Sequence, residues 1–129
     1  MREILFRGKR TDNGEWVQGD LVHSQYKIGD TCVGQYGNTV GIHQVDHETV
    51  GQYTCLTDKN GKKIFEGDIV WDEYQEAYAE IRYDEDTAMF LILFDSWCTD
   101  FDHYASIDIE VVGNIHDNPE LLKGVNDNG

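Results

Sequence analysis

At 129 residues and 14.8 kDa, the chain is long enough for one domain or two very small ones. Its 10 Lys and Arg stand against 25 Asp and Glu, a formal charge of -15. That argues against general, sequence-independent DNA binding, which needs cationic surface to replace counterions. The longest unbroken apolar run, Ala88 to Phe94, is about a third of a membrane span, so a spanning helix is excluded.

The chain opens on Glu3 to Arg7, which reads as a strand with Ile4 and Phe6 on one face. The segment Met1 to Arg7 has no apolar core of the kind a secretory signal needs. The three cysteines, Cys32, Cys55 and Cys98, are odd in number and widely spaced. They are expected to be reduced thiols acting as small core hydrophobes in a cytosol. Thr11 to Gly14 is a turn, since Asn-Gly tolerates the positive φ of a tight hairpin. Glu15 to His23 follows as a strand with a bend at Gly19-Asp20. The Gly-rich text from Ser24 to Asn38 gives only short strands, and Thr39 to Val45 alternates again. Asp46 to Thr49 suits one helical turn, and Val50 to Leu56 is extended.

A second Asn-Gly turn lies in Thr57 to Gly61. Lys63 to Val70 is an apolar stretch broken at Gly67-Asp68. Between Asp72 and Arg82 the pattern is ambiguous. Tyr74, Ala77, Tyr78 and Ile81 fit a helix, whereas Ala79, Ile81 and Tyr83 alternate like a strand. Asp84 to Thr87 is a polar turn, and Ala88 to Phe94 reads as the most buried strand. Ser106 to Ile115 is a strand interrupted at Gly113. Asn118 then caps a short helix, with Pro119 at its first position.

One pattern occurs twice. Trp16-Val17-Gln18-Gly19-Asp20-Leu21-Val22 and Ile64-Phe65-Glu66-Gly67-Asp68-Ile69-Val70 agree in chemistry at every position, and each follows an Asn-Gly turn. The expected content is a sharp bend that starts a strand, with Gly for the backbone and Asp to accept an N–H. Two such copies favour small related β units of the size of SH3-like barrels over an α/β fold. The expected fold is therefore all-β: small SH3-like barrel units, short turns and a short C-terminal helix. The expected division is 1–62, 63–116 and 117–129.

Several segments resemble the YopX family of phage and prophage proteins. They are Phe6 to Lys9, Gly14 to Leu21, Thr49 to Thr54, Asp58 to Val70 and Gly113 to Leu122. Cys55 stands where the family pattern has Gly, which argues against an unusual backbone angle there, and His47 stands where it usually has Pro. The resemblance implies an all-β fold and a strand–loop–strand reading of the ambiguous segment. It also implies a phage or prophage origin and action in a bacterial cytoplasm. It brings no reaction and no catalytic residues.

The charge is uneven. Residues 1–60 hold 6 Lys and Arg against 8 Asp and Glu, and residues 61–129 hold 4 against 17, so the second half carries -13. Asp72, Glu73, Glu76 and Glu80 are the candidate protein-binding acidic surface. Arg2, Arg7, Lys9 and Arg10 form a candidate basic surface at the other end. This layout suits a protein-interaction module with a host or phage partner, a DNA mimic in one version, and it also suits head-to-tail self-association. The alternative is a nucleic-acid or nucleotide binder that uses barrel aromatics and the basic start. No enzyme motif occurs, and no cofactor or metal is expected. His43 and His47 are spaced for a metal on a helix but read as strand and surface. Asp84 to Asp86 lacks the ligand pattern of a calcium loop. Asp100 and Asp102 form a carboxylate pair with no nucleophile beside it.

Overall fold

The computed structural model describes residues 4–23, 31–34, 43–101 and 108–122. The expected short strands at 24–30 and 35–38, the start of the strand expected at 39–45, Arg2, Asp102 and the tail lie wholly or in part outside these residues. The chain forms two compact units, Met1–Tyr53 and Thr54–Gly129. The division falls inside a strand, whereas the boundary drawn on the sequence at 62 follows the Asn-Gly turn.

In the first unit, β1 (Phe6–Lys9), β2 (Trp16–His23), β3 (Thr31–Gly34), β4 (His43–Val45) and the start of β5 (Gly51–Thr57) lie in the order β4-β3-β2-β1-β5. The pairings are antiparallel, with Phe6 opposite Gly19 and Lys9 opposite Trp16 in the first hairpin. Its turn closes as Asn-Gly predicts. The Arg10 N–H donates to the Glu15 carbonyl at 2.8 Å, the Gly14 N–H donates to the Arg10 carbonyl at 3.0 Å, and Gly14 sits at φ 73. The expected helical turn is a 3-10 turn, His47–Thr49. Asp46 caps it by accepting the Glu48 N–H at 3.1 Å. Buried Thr49 accepts the Lys9 N–H at 2.9 Å and donates to the Asp46 carbonyl at 2.6 Å.

In the second unit, β6 (Lys63–Phe65) lies beside the end of β5, and Thr54 Oγ1 donates to the Ile64 carbonyl at 2.8 Å. The chain then builds a five-stranded antiparallel sheet from β7 (Asp68–Asp72), β8 (Ala77–Asp84), β9 (Met89–Leu93), β10 (Cys98–Asp100) and β11 (Ile109–Asn114). The order is β10-β9-β8-β7-β11. The fold is all-β, as expected. The sheet edges β10 and β11 do not pair with each other among the described residues, so the expected barrel closure is not seen.

The ambiguous segment is strand, loop and strand. On β8, Ala79 and Ile81 turn into the core with Val70, Phe90, Ile92, Phe101 and Ile109, while Tyr78 and Glu80 face the other way. The period of two wins over the helical reading because β7 pairs with Ala77 to Glu80 and β9 with Glu80 to Asp84, which together hold β8 extended. The most continuously buried strand is β7, where only Trp71 is partly exposed; β9 alternates, with Phe90 and Ile92 buried. An unbroken apolar run therefore did not mark the deepest strand. Two carboxylates sit on β7 instead, each buried by bonding backbone.

The two copies of the repeated heptapeptide adopt different backbones. In the second, Gly67 has φ 90 and the Asp68 carboxylate accepts the Phe65 N–H at 2.8 Å, a tight corner between β6 and β7. The Gly67 N–H donates to the Ile81 carbonyl at 2.7 Å, and its own carbonyl accepts the Ile115 N–H at 2.9 Å. In the first copy, Gly19 and Asp20 lie inside continuous β2, paired with Phe6 and Gly34. The strand passes from one partner to the other at this point, with Trp16 to Gly19 on β1 and Asp20 to His23 on β3, and it does so without a turn.

The interruption expected at Gly113 is a bulge. The β11 register slips between Val111 and Gly113. A Cβ on Gly113 would stand 2.5 Å from Asn118 Oδ1. That oxygen accepts the Asn114 N–H at 3.3 Å, so the Asn118 side chain closes the strand end rather than capping the helix. The short helix still begins here, as Leu121 and Leu122 donate to the carbonyls of Asn118 and Pro119.

Two predictions follow from strain and burial. Cys55 has φ 71, so the left-handed angle is present although Cys replaces Gly. The ordinary angle expected at this position is corrected by that observation. Cys55→Gly should raise stability by about 1 kcal/mol in urea unfolding, because a Cβ is disfavoured there; a loss of stability would refute the strain. The second concerns Asp58, whose carboxylate accepts the N–H groups of Asn60, Lys62 and Val111, each at 2.9 Å. Burial opposes its charge, but the three N–H groups and the Lys62 ammonium outweigh it and hold the carboxyl below its ordinary value. A lowered folded pKa stabilises the fold above the unfolded value, and the effect is lost as pH falls through the folded one. Asp58→Asn should therefore cost about 1–3 kcal/mol at neutral pH. The gap to the parent should close below about pH 4, and a gap independent of pH would contradict the assignment.

Candidate functional site

The four acidic residues singled out from the sequence do not form one surface. Asp72 ends β7 and is fully buried. Its Oδ1 accepts the N–H groups of Tyr74 at 2.8 Å and Gln75 at 3.1 Å. These bonds shape the four-residue loop between β7 and β8, in which Glu76 takes φ 53. The Asp72 side chain is thus part of the hairpin and not of the surface. Glu73 and Glu76 are exposed on that loop. Glu73 Oε1 takes the Lys59 ammonium at 2.9 Å, and this hydrogen bond raises the Lys59 pKa. An exposed pair of this kind adds little stability. Glu80 lies mid-strand opposite Ile69 and Leu93, and Arg82 grips both of its oxygens at 3.0 Å.

The loop also carries Tyr74, which is 81% exposed and is the most exposed large apolar side chain among the described residues. Sequence reading did not single Tyr74 out, because it lay in a segment whose pattern fitted a helical stripe as well as a strand. The available signal was the strand–loop–strand reading implied by the family resemblance. The Glu73 N–H donates to the Asp108 carbonyl at 3.0 Å, which ties the loop's first residue to the strand end of β11.

Two of the basic candidates, Arg7 and Arg10, are engaged within the fold. Arg10 makes a bidentate pair with Asp12, at 2.9 Å and 2.6 Å, which raises the Arg10 pKa and lowers that of Asp12. The Arg7 guanidinium lies 4.9 Å above the Trp16 ring. The Lys9 backbone N–H bonds Thr49, and Arg2 lies outside the described residues. The aromatics pair with one another. Trp71 and Tyr78 meet edge to face at 4.8 Å, Tyr83 and Phe90 at 5.2 Å, and Phe94 and Trp97 stack at 4.4 Å. Trp97 is 42% exposed.

Among the described residues no group of three or more His, Cys, Asp or Glu could hold a metal. His43 is on β4 and His47 in the 3-10 turn. The Asp84 carboxylate is occupied by the Thr87 hydroxyl at 2.7 Å and the Asp86 N–H at 3.3 Å. Asp100 is half-buried on β10. Cys98 is exposed and Cys55 half-buried, so neither is the buried core thiol expected; Cys32 lies on β3. Among the described residues no helix is long and apolar enough to cross a membrane.

The division of labour between acids is measurable. Asp72→Ala should cost about 1–3 kcal/mol in chemical unfolding, since two loop N–H groups lose their acceptor. Glu76→Gln should stay within about 0.5 kcal/mol. Equal effects at both positions would contradict the placement.

The comparisons with known proteins bear on kinship. No curated protein matches the chain. Among solved structures, protein EF1440 from Enterococcus faecalis superposes with a TM-score of 0.58 at 24% identity, over 95% of this chain and 99% of that one. That likeness shows a shared fold. The model of the family described as YopX protein matches residues 5–123, nearly the whole length. The resemblance first seen in Phe6 to Lys9 and in Asp58 to Val70 thus extends over both units, and the chain belongs to the YopX family.

Proposed function

We propose that the chain is a non-enzymatic phage or prophage accessory protein that acts by binding a protein partner, host or phage, through the acidic second unit. The family membership supports the setting. The carrying observation is the loop between β7 and β8. It presents Glu73, Tyr74 and Glu76 to solvent while buried Asp72 holds its backbone. A loop already held in one shape loses little entropy on binding. An aromatic between acids offers an apolar anchor inside a negative field, suited to a cationic protein surface with a shallow apolar pocket. The DNA-mimic version belongs to the same reading, with the carboxylates standing in for phosphates.

A nucleic-acid or nucleotide binder is the weaker reading. Arg10 is already paired with Asp12, and the Arg7 guanidinium lies on Trp16. The aromatic pairs are likewise engaged within the fold.

The test is capture of partners from host or infected cells on the immobilised chain, compared with a Glu73→Lys, Tyr74→Ala, Glu76→Lys variant. The substitutions avoid Asp72 and Glu80, which are engaged within the fold. The expected result is loss of specific partners by the variant, with its unfolding midpoint unchanged. Identical partner sets from both proteins would remove this loop from the site. Salt-sensitive retention of oligonucleotides by the parent would favour the nucleic-acid reading instead.

A further inference from the structure

We propose that Asn13-Gly14 is a site of spontaneous covalent modification, and that the fold sets it apart from the chemically identical Asn60-Gly61. The reaction is imide formation by the chain itself. The Gly14 backbone nitrogen gives its proton to solvent and attacks Asn13 Cγ, so that an N–Cγ bond forms and negative charge collects on Oδ1. The Cγ–Nδ2 bond then breaks, and the amide leaves as ammonia with a proton from water. Water opens the five-membered imide at either carbonyl. The product is an aspartyl or isoaspartyl residue at position 13. No oxidant, reductant or other reactant is needed.

Both Asn-Gly pairs are exposed, and both glycines have a positive φ, 73 for Gly14 and 82 for Gly61. Both nucleophiles are equally engaged. The Gly14 N–H donates to the Arg10 carbonyl and the Gly61 N–H to the Asp58 carbonyl, each at 3.0 Å. The electrophiles differ. Asn13 Oδ1 accepts the Glu15 N–H at 2.9 Å. A donor already aimed at the oxygen where charge develops stabilises the tetrahedral intermediate. Asn13 Nδ2, the leaving group, has no acceptor among the described residues. Asn60 has the reverse arrangement. Its Nδ2 donates to the Glu110 carboxylate at 3.3 Å, which enriches the amide in electron density. Its Oδ1 takes no donor among the described residues. The Asn60 turn is also held by Asp58, which binds the N–H groups of Asn60, Lys62 and Val111. Reorientation of the Asn60 side chain toward the Gly61 nitrogen would also have to break its bond to Glu110.

The new carboxylate would sit next to Asp12, whose own carboxylate holds Arg10. Modification at position 13 would thus add negative charge at the end of the chain that begins basic.

The experiment incubates the full chain, folded, in mildly alkaline buffer and follows both sites by peptide mass mapping with isoaspartyl detection. A parallel sample is unfolded in urea. In the folded chain Asn13 should convert about tenfold faster than Asn60, less than the hundredfold or more of a donor in a water-excluded site. In urea the two rates should converge. Equal rates in the folded chain, faster conversion at Asn60, or no conversion at either would overturn the proposal. So would a preference for Asn13 that persists in urea, since it would then belong to the local sequence and not to the turn.

Discussion

The structure depends on a side-chain oxygen that accepts backbone N–H groups where a strand ends. Asp58 does this for three N–H groups, Asp72 for two and Asp68 for one, and all three carboxylates are buried. Asn13, Asp46 and Asn114 do it at more exposed turns. The strands are short, three to eight residues, and their loops bond only some of their own amides. A carboxylate is a strong acceptor for such amides, and the bonds offset the cost of burying its charge. Removing it would leave one to three N–H groups without that acceptor at a point where the chain must reverse or change sheet.

This constraint reorganises the meaning of the charge. The second half carries -13, and as a number it suggests a uniform acidic face. The fold divides those carboxylates. Asp68 and Asp72 are internal and serve the backbone, Asp84 closes a turn, and Glu80 is held by Arg82. Glu73 and Glu76 remain outward, with Tyr74 between them. The negative field is real, yet only part of it is available to a partner.

The backbone angles carry a related lesson. Cys55, Glu76 and Ala88 all have positive φ without being glycine. Glu76 and Ala88 close the two successive four-residue hairpin loops, whose geometry needs a left-handed residue at that place. Cys55 lies within β5, near the division between units, and keeps an angle that a glycine would adopt more easily. Such an angle persists in a non-glycine residue only where the surrounding structure fixes it.

Much of the local structure was legible in the residues. The Asn-Gly turns, the 3-10 turn behind Asp46, the alternation of Ala79 and Ile81 and the interruption at Gly113 each follow from chemistry that acts within a few positions. The family kinship was legible too, in Asp58 to Val70. What the sequence could not decide was the fate of identical text in different surroundings. Trp16 to Val22 runs as one strand that passes from β1 to β3 at Gly19-Asp20, while Ile64 to Val70 folds into a corner around Gly67 and Asp68. Asp72 and Glu73 are neighbours of the same sign, yet one points into the sheet and one into water. The reason in both cases is that burial and pairing are set by strands distant in sequence. A residue's type states which bonds it can make, and only the tertiary structure supplies the groups that make them.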